Sequence, residues 1–171
     1  HPVTLEENDI EGDLASIFEV LATFNFNIIF TYANADLGGR IINQSIENFC
    51  KVNPKKYIVV KNLGQVRYLS AMKHVDLLIG NSSSGIIEAA SFKKAVVNIG
   101  NRQKGRLKGQ NVIDCNIASL SESIELALSS NFKDKINNID NIYGTGKTAD
   151  FIVEKLIKSP LSIIKKFRDQ A

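Results

Sequence analysis

The stretch VDLLIGNSSSGIIE, residues 75–88, changes character twice. Residues 75–79 are apolar except for Asp76 and end at Gly80, a length and setting that predict a buried parallel strand rather than a helix. Asn81, Ser82, Ser83, Ser84 and Gly85 follow, small residues rich in N-cap formers. Ile86, Ile87, Ala89 and Ala90 then resume an apolar pattern at the spacing of a helix's first turns. The predicted order is strand, tight polar turn, helix. It places hydroxyls and unpartnered backbone N–H groups where a helix begins, a setting that favours an anion and phosphate above all. The plainer alternative is a helix cap, but a cap needs one hydroxyl and three successive serines exceed it.

Working outward, strands and helices alternate along the whole chain. Upstream, residues 9–24 carry Leu14, Ile17, Phe18 and Leu21 at helical spacing, and residues 27–32 (NIIFTY) form a compact strand. A turn at 33–39 leads to a helix at 40–52 with Ile42, Ile46 and Phe49 inward, closed by Asn53-Pro54. Residues 57–60 are a strand, 62–64 a loop, and 65–73 a helix with Val66, Leu69 and Met72 on one face. Downstream, strands are expected at 95–99 and 111–114, separated by a polar loop at 100–110. Helices are expected at 119–129 (Leu120, Ile124 and Leu128 inward), 147–157 and 161–167, and residues 130–146 read as a polar loop. This alternation predicts an open parallel α/β sheet of Rossmann-like type with helices on both faces. Ligands of such sheets bind beyond the carboxyl ends of the strands, so the loops 33–39, 61–64, 80–85 and 100–110 should line one edge.

Composition bounds the partners. The 171 residues suit one domain, and 44% hydrophobic content suits a packed core. A net charge of +3, from 21 basic and 18 acidic residues, is too balanced to demand nucleic acid. Basic residues do gather at Arg102, Lys104, Arg106 and Lys108, and at Lys165, Lys166 and Arg168, where a solvated face is the ordinary explanation. No apolar run approaches the roughly 20 residues of a membrane helix. The opening HPVTLEEND is polar and acidic, unlike a signal peptide, and its lack of an initial Met fits a piece of a longer protein. Cys50 and Cys115 lie far apart without metal-ligand spacing, as in a reducing cytoplasm, so neither metal nor cofactor is expected. His74 ends a predicted helix, where a cation meets the negative dipole end.

Two further residues have chemistry to offer. Glu88, four residues past Ser84, can accept two hydrogen bonds from a ribose diol, or else compensate a helix start. Arg102 follows a strand and can grip a phosphate through its planar fork, or else face solvent. The segment GTGKT at 144–148 is not a phosphate-binding P-loop: the required first glycine is Asn141, and no buried strand precedes it.

HPVT, IFTYANAD, GNSSSGIIEA, NIGNRQKGR and NIYGTGKTA stand in that order along the chain. Together they resemble the C-terminal half of a hydrolysing UDP-N-acetylglucosamine 2-epimerase, the family that opens sialic acid synthesis. The likeness covers nearly everything before Pro160. It implies a glycosyltransferase-B-like architecture with two Rossmann-like halves, a nucleotide sugar in the cleft between them, and a partner domain upstream of this one. It also allows a homo-oligomer. By this resemblance Ser82 and Ser83 hold the diphosphate, Glu88 takes the ribose hydroxyls and Arg102 supports the phosphates. His1 matches the histidine facing the reacting sugar, Asn34 an asparagine of the cleft, and backbone near Leu63 with Tyr68 as a wall would read uracil. The family reaction removes the C2 proton, expels UDP to leave a glycal, and adds water to give N-acetylmannosamine. The proton-moving carboxylates belong to the other half, so this chain alone is expected to be inactive. Lys93-Lys94-Ala95 departs from the Gly/Thr-Pro pair usual in relatives. A sister activity on UDP-2,4-diacetamido-trideoxy sugars, leading to legionaminic acid, carries very similar motifs. A glycosyltransferase of the same architecture, or a non-catalytic UDP-binding module, are the readings from other classes.

Overall fold

Ala95-Val-Val-Asn-Ile99 is short, β-branched and almost wholly apolar, and it becomes the strand around which the molecule is built. The computed structural model describes residues 9–34 and 38–160. In chain order the elements are α1 (Ile10–Thr23), β1 (Ile28–Thr31), α2 (Gly39–Val52), β2 (Tyr57–Val60), α3 (Gly64–His74), β3 (Leu77–Gly80), α4 (Ser83–Ile87), a 3-10 turn (Ala89–Phe92), β4 (Ala95–Ile99), β5 (Val112–Cys115), α5 (Leu120–Leu128), α6 (Ser130–Ile136) and α7 (Thr148–Lys158). Every strand pair is parallel, in the ladders β1–β2 and β3–β4–β5. The open parallel α/β fold is therefore the one the alternation predicts.

β4 is buried on both faces. Ala95 and Val97 join Leu120, Ile124 and Ala127 of α5 in one core cluster, while Val96 packs with Met72 and Ala89 in another. That is the two-sided coverage a central parallel strand requires. The first cluster also takes Ile28 and Phe30 of β1 and Leu77 and Ile79 of β3, so one core spans both ladders. A third cluster joins Ile42, Ile46 and Cys50 of α2 to Tyr57 of β2. There Phe49 stacks between Phe18 and Tyr57, with ring centroids 4.4 and 4.8 Å away.

Four local expectations change. Residues 130–146 are not all loop: α6 begins on Ser129, whose Oγ accepts from Phe132 N, and buries Ile136, with Ile139 buried just beyond. The intervening polar residues face outward and hide that pattern. Val66 is 82% exposed, and α3 anchors instead through Met72. Leu128 is half-buried, and the buried α5 positions are Leu120, Ser123, Ile124 and Ala127. The central helix is not continuous: α4 stops after five residues, Glu88 intervenes, and the 3-10 turn closes on Lys93 at φ 54°. Lys93 is the non-glycine residue with positive φ among those described, so the departure at 93–95 begins on a turn and runs into the first residue of β4. The helix expected at 161–167 lies outside the described residues. Among the described residues no helix is long and apolar enough to cross a membrane.

Candidate functional site

The in-register pairs Gly80↔Asn98 and Asn98↔Asp114 bring the carboxyl ends of β3, β4 and β5 to one level, and the loops 80–85 and 100–110 leave from there. In the first loop Ser82 is the N-cap of α4, with extended backbone (φ −74°, ψ 143°). Its Oγ accepts from Ser84 N at 3.4 Å and lies 3.2 Å from Ser84 Oγ. Ser84 Oγ in turn shares a 2.5 Å hydrogen bond with the Tyr68 hydroxyl. Tyr68 packs against the cluster of Met72, Ala89 and Val96, so the core holds the strut that holds the serines. Among the described residues no hydrogen bond occupies Ser83 Oγ, and it is the hydroxyl left for a ligand. Gly85 lets the loop lie against the sheet, because a Cβ there would stand 3.0 Å from Val96 Cγ1. With α4 only five residues long, a macrodipole contributes little, and anion affinity must come from local N–H groups, hydroxyls and nearby cations.

A cation reaches the turn from the neighbouring loop, Arg102. Its Nη1 donates to Asn81 O at 2.9 Å, and Gln103 Nε2 donates to the same oxygen at 2.8 Å. Two loops about twenty residues apart in sequence are thereby pinned at one carbonyl. Guanidinium has five N–H donors, so one bond to Asn81 leaves others for an anion. Gln103 is buried at 2% exposure, with its Oε1 unpartnered among the described residues. Nothing in the sequence distinguished Gln103 from a surface loop residue. Lys108 is committed to Asp114 at 2.7 Å, and Asp114 also accepts from Asn98 Nδ2 at 2.7 Å, which fixes the far end of the loop on β4 and β5. Of the basic run, Lys104 and Arg106 remain exposed.

Glu88 sits half-buried at the break between α4 and the 3-10 turn, one helical turn from Ser84. Among the described residues no donor engages its carboxylate. Asn34 ends the described part of the β1–α2 loop; it is exposed and holds a neighbour of its own. Its carbonyl lies against Gly39, where any side chain would collide with it. Leu63 is the N-cap of α3 and makes no side-chain cap bond, while Asn62 Oδ1 accepts from Gly64 N at 2.7 Å. His1 lies outside the described residues. Structure thus joins Tyr68, Ser82, Ser83, Glu88 and Arg102 around one turn, and places Asn34 and Leu63 on the loops after β1 and β2.

The segment 139–143, read as loop, turns out to touch the end of α4 through Asn141 and the 100–110 loop through Tyr143. A groove lined by Leu14, Phe18, Phe49 and Val52 runs between α1 and α2, and it carries none of these groups. No group of three or more His, Cys, Asp or Glu suited to a metal occurs among the described residues. Cys50 and Cys115 are free thiols. Burial pushes both thiols up from their ordinary pKa, with a Ser123 hydrogen bond partly offsetting this at Cys115. Around the serine turn the described residues offer donors and a lone carboxylate, but no pair of acids for proton transfer. Chemically, such a set suits an anion rather than proton transfer.

Fold and loop cluster together define an open parallel α/β domain with an anion-suited edge. The chain belongs to the UDP-N-acetylglucosamine 2-epimerase family, whose family model matches residues 1–157. It is similar to the GDP/UDP-N,N'-diacetylbacillosamine 2-epimerase (hydrolyzing) of Campylobacter jejuni, 44% identical over 134 residues, covering 78% of this chain and 35% of that protein. The UDP-N,N'-diacetylbacillosamine 2-epimerase (hydrolyzing) of Legionella pneumophila is 34% identical over 163 residues, 94% of this chain and 42% of that one. The chain therefore spans well under half the length of these relatives. In three dimensions it resembles the UDP-GlcNAc 2-epimerase of Methanocaldococcus jannaschii, solved in complex with UDP-GlcNAc and UDP. The TM-score is 0.67 at 20% identity, over 88% of this chain and 41% of that chain, which shows a shared fold.

Proposed function

We propose that residues 1–171 form one Rossmann-like domain, the nucleotide-holding half of a hydrolysing UDP-sugar 2-epimerase. The observation that carries this is the convergence of Arg102 and Gln103 on Asn81 O, which brings the arginine to the start of the serine turn. In this reading Ser82, Ser83 and Arg102 hold the diphosphate, and Glu88 accepts the ribose hydroxyls. Asn34 lines the cleft, and Leu63 with Tyr68 borders the uracil. His1 faces the reacting sugar. Loss of the C2 proton and departure of UDP leave negative charge on the diphosphate oxygen. Donors already fixed in place stabilise it without reorganising. Water then adds to the glycal. Proton-moving carboxylates come from the second half, so this chain by itself releases no UDP from UDP-N-acetylglucosamine.

UDP-N-acetylglucosamine, giving N-acetylmannosamine for sialic acid synthesis, is the first substrate reading. A UDP-2,4-diacetamido-trideoxyhexose is the second, favoured by the names of the two relatives at 44% and 34% identity. Work in a reducing cytoplasm suits the two free thiols. The decisive experiment titrates the intact protein with UDP, UMP and uridine, then identifies the sugar released from each UDP-sugar. Affinity should rise with each phosphate, and Arg102→Ala should weaken UDP by about tenfold or more. Equal binding of UDP and uridine would sink the reading.

A further inference from the structure

We propose that Asn141 and Tyr143 are positioning residues that set the end of α4 and the 100–110 loop for the nucleotide; this rests on the function proposed above. α4 ends abruptly at Ile87, and the last carbonyls of a helix need outside donors. Asn141 supplies one: its Nδ2 donates to Ile87 O at 2.8 Å and to Ser91 Oγ at 2.7 Å. These two contacts straddle Glu88. The same side chain's Oδ1 accepts from Tyr143 N at 2.9 Å, which turns the chain so that the Tyr143 hydroxyl donates to Leu107 O at 2.8 Å. Leu107 lies in the 100–110 loop that also carries Arg102. Lys93 Nζ donates to Ile139 O from the turn that closes the 3-10 segment. One short stretch therefore grips the end of α4, the 3-10 segment and the 100–110 loop together. Ile136 and Ile139, 2% and 8% exposed, anchor it to the core.

The division of labour is specific. Asn141 acts through Glu88, because it holds the Ile87 carbonyl just before that residue and the Ser91 hydroxyl shortly after it. Tyr143 acts through the Arg102 loop. A loop of this length held at one end only would sample many conformations, and each added tether removes some of that entropy.

The test measures Kd for UDP and for 2′-deoxy-UDP with the intact protein, and the ratio between them reports the ribose contact. Wild type should prefer UDP several-fold, and Glu88→Gln should erode that preference. Asn141→Asp, which keeps Oδ1 but loses the donor to Ile87 O, should shrink the ratio toward that of Glu88→Gln. Tyr143→Phe should weaken both nucleotides several-fold with the ratio unchanged, and should add no further loss in an Arg102→Ala background. Thermal unfolding checks that each variant folds, and a general loss of structure would lower both affinities alike in every background. An unchanged ratio in Asn141→Asp, or additive losses in the Tyr143→Phe, Arg102→Ala pair, overturns the inference. A wild type indifferent to both nucleotides would instead overturn the functional reading itself.

Discussion

β4 and the β1–β2 ladder are built from the same kind of residue and end in different surroundings. Along β4, Ala95, Val96, Val97 and Asn98 are all buried, under α5 on one side and the α3–α4 layer on the other. Along β1 burial alternates, and Ile29 and its β2 partner Ile58 stand 46% and 48% exposed. The serine turn and the Arg102 loop spring from the finished side. The groups proposed to hold the diphosphate sit where packing already fixes the backbone.

The contrast is easiest to break by core truncation. Leu120→Ala, at a site with no solvent exposure, should cost about 2–5 kcal/mol in urea unfolding. Ile58→Thr should stay within about 0.5 kcal/mol. Comparable losses from the two would show that both sides are equally packed. Next in size is Gly85→Val. Its added methyl groups must push α4 off Val96, which should cost about 1–3 kcal/mol and weaken UDP together with stability. If UDP affinity survives that substitution, the close approach of α4 to β4 does not shape the site.

The smallest effect is a pH dependence, with one thiol in each region. Folding raises the pKa of both Cys50 and Cys115, so the native state keeps protons that the unfolded chain gives up. Their contribution is therefore complete below the unfolded thiol value of about 8.5, and it declines as pH rises through the folded values. Stability should fall modestly from pH 8 to 10, and Cys50→Ala should remove part of the slope. A stability that climbs over that interval would refute the assignment.

Much of this was readable in advance. Alternating strand and helix patterns gave the parallel sheet, and GNSSSG between an apolar strand and an apolar helix gave the turn that holds Ser82 and Ser83. Less legible were features set by tertiary contact. The break at Glu88 leaves no mark in a sequence that reads as helix through Ala90. Val66 keeps helical spacing with Met72 yet finds nothing to pack on. Gln103 and Asn141 look like surface amides until partners far along the chain claim them. Only α6 left an unused clue: Ser129 three residues before Phe132, with Ile136 four beyond.

A strand covered on both sides has no spare phase. Sliding β4 by one position against Leu77 and Val112 would swap Val96 with its neighbours, presenting the α3–α4 layer with side chains cut to fit α5. It would also move Asn98 off Asp114, and with it the ground on which the arginine loop stands. Single-residue insertions or deletions within 95–99 should therefore be far less forgiving than the same changes in the exposed turn at 144–147.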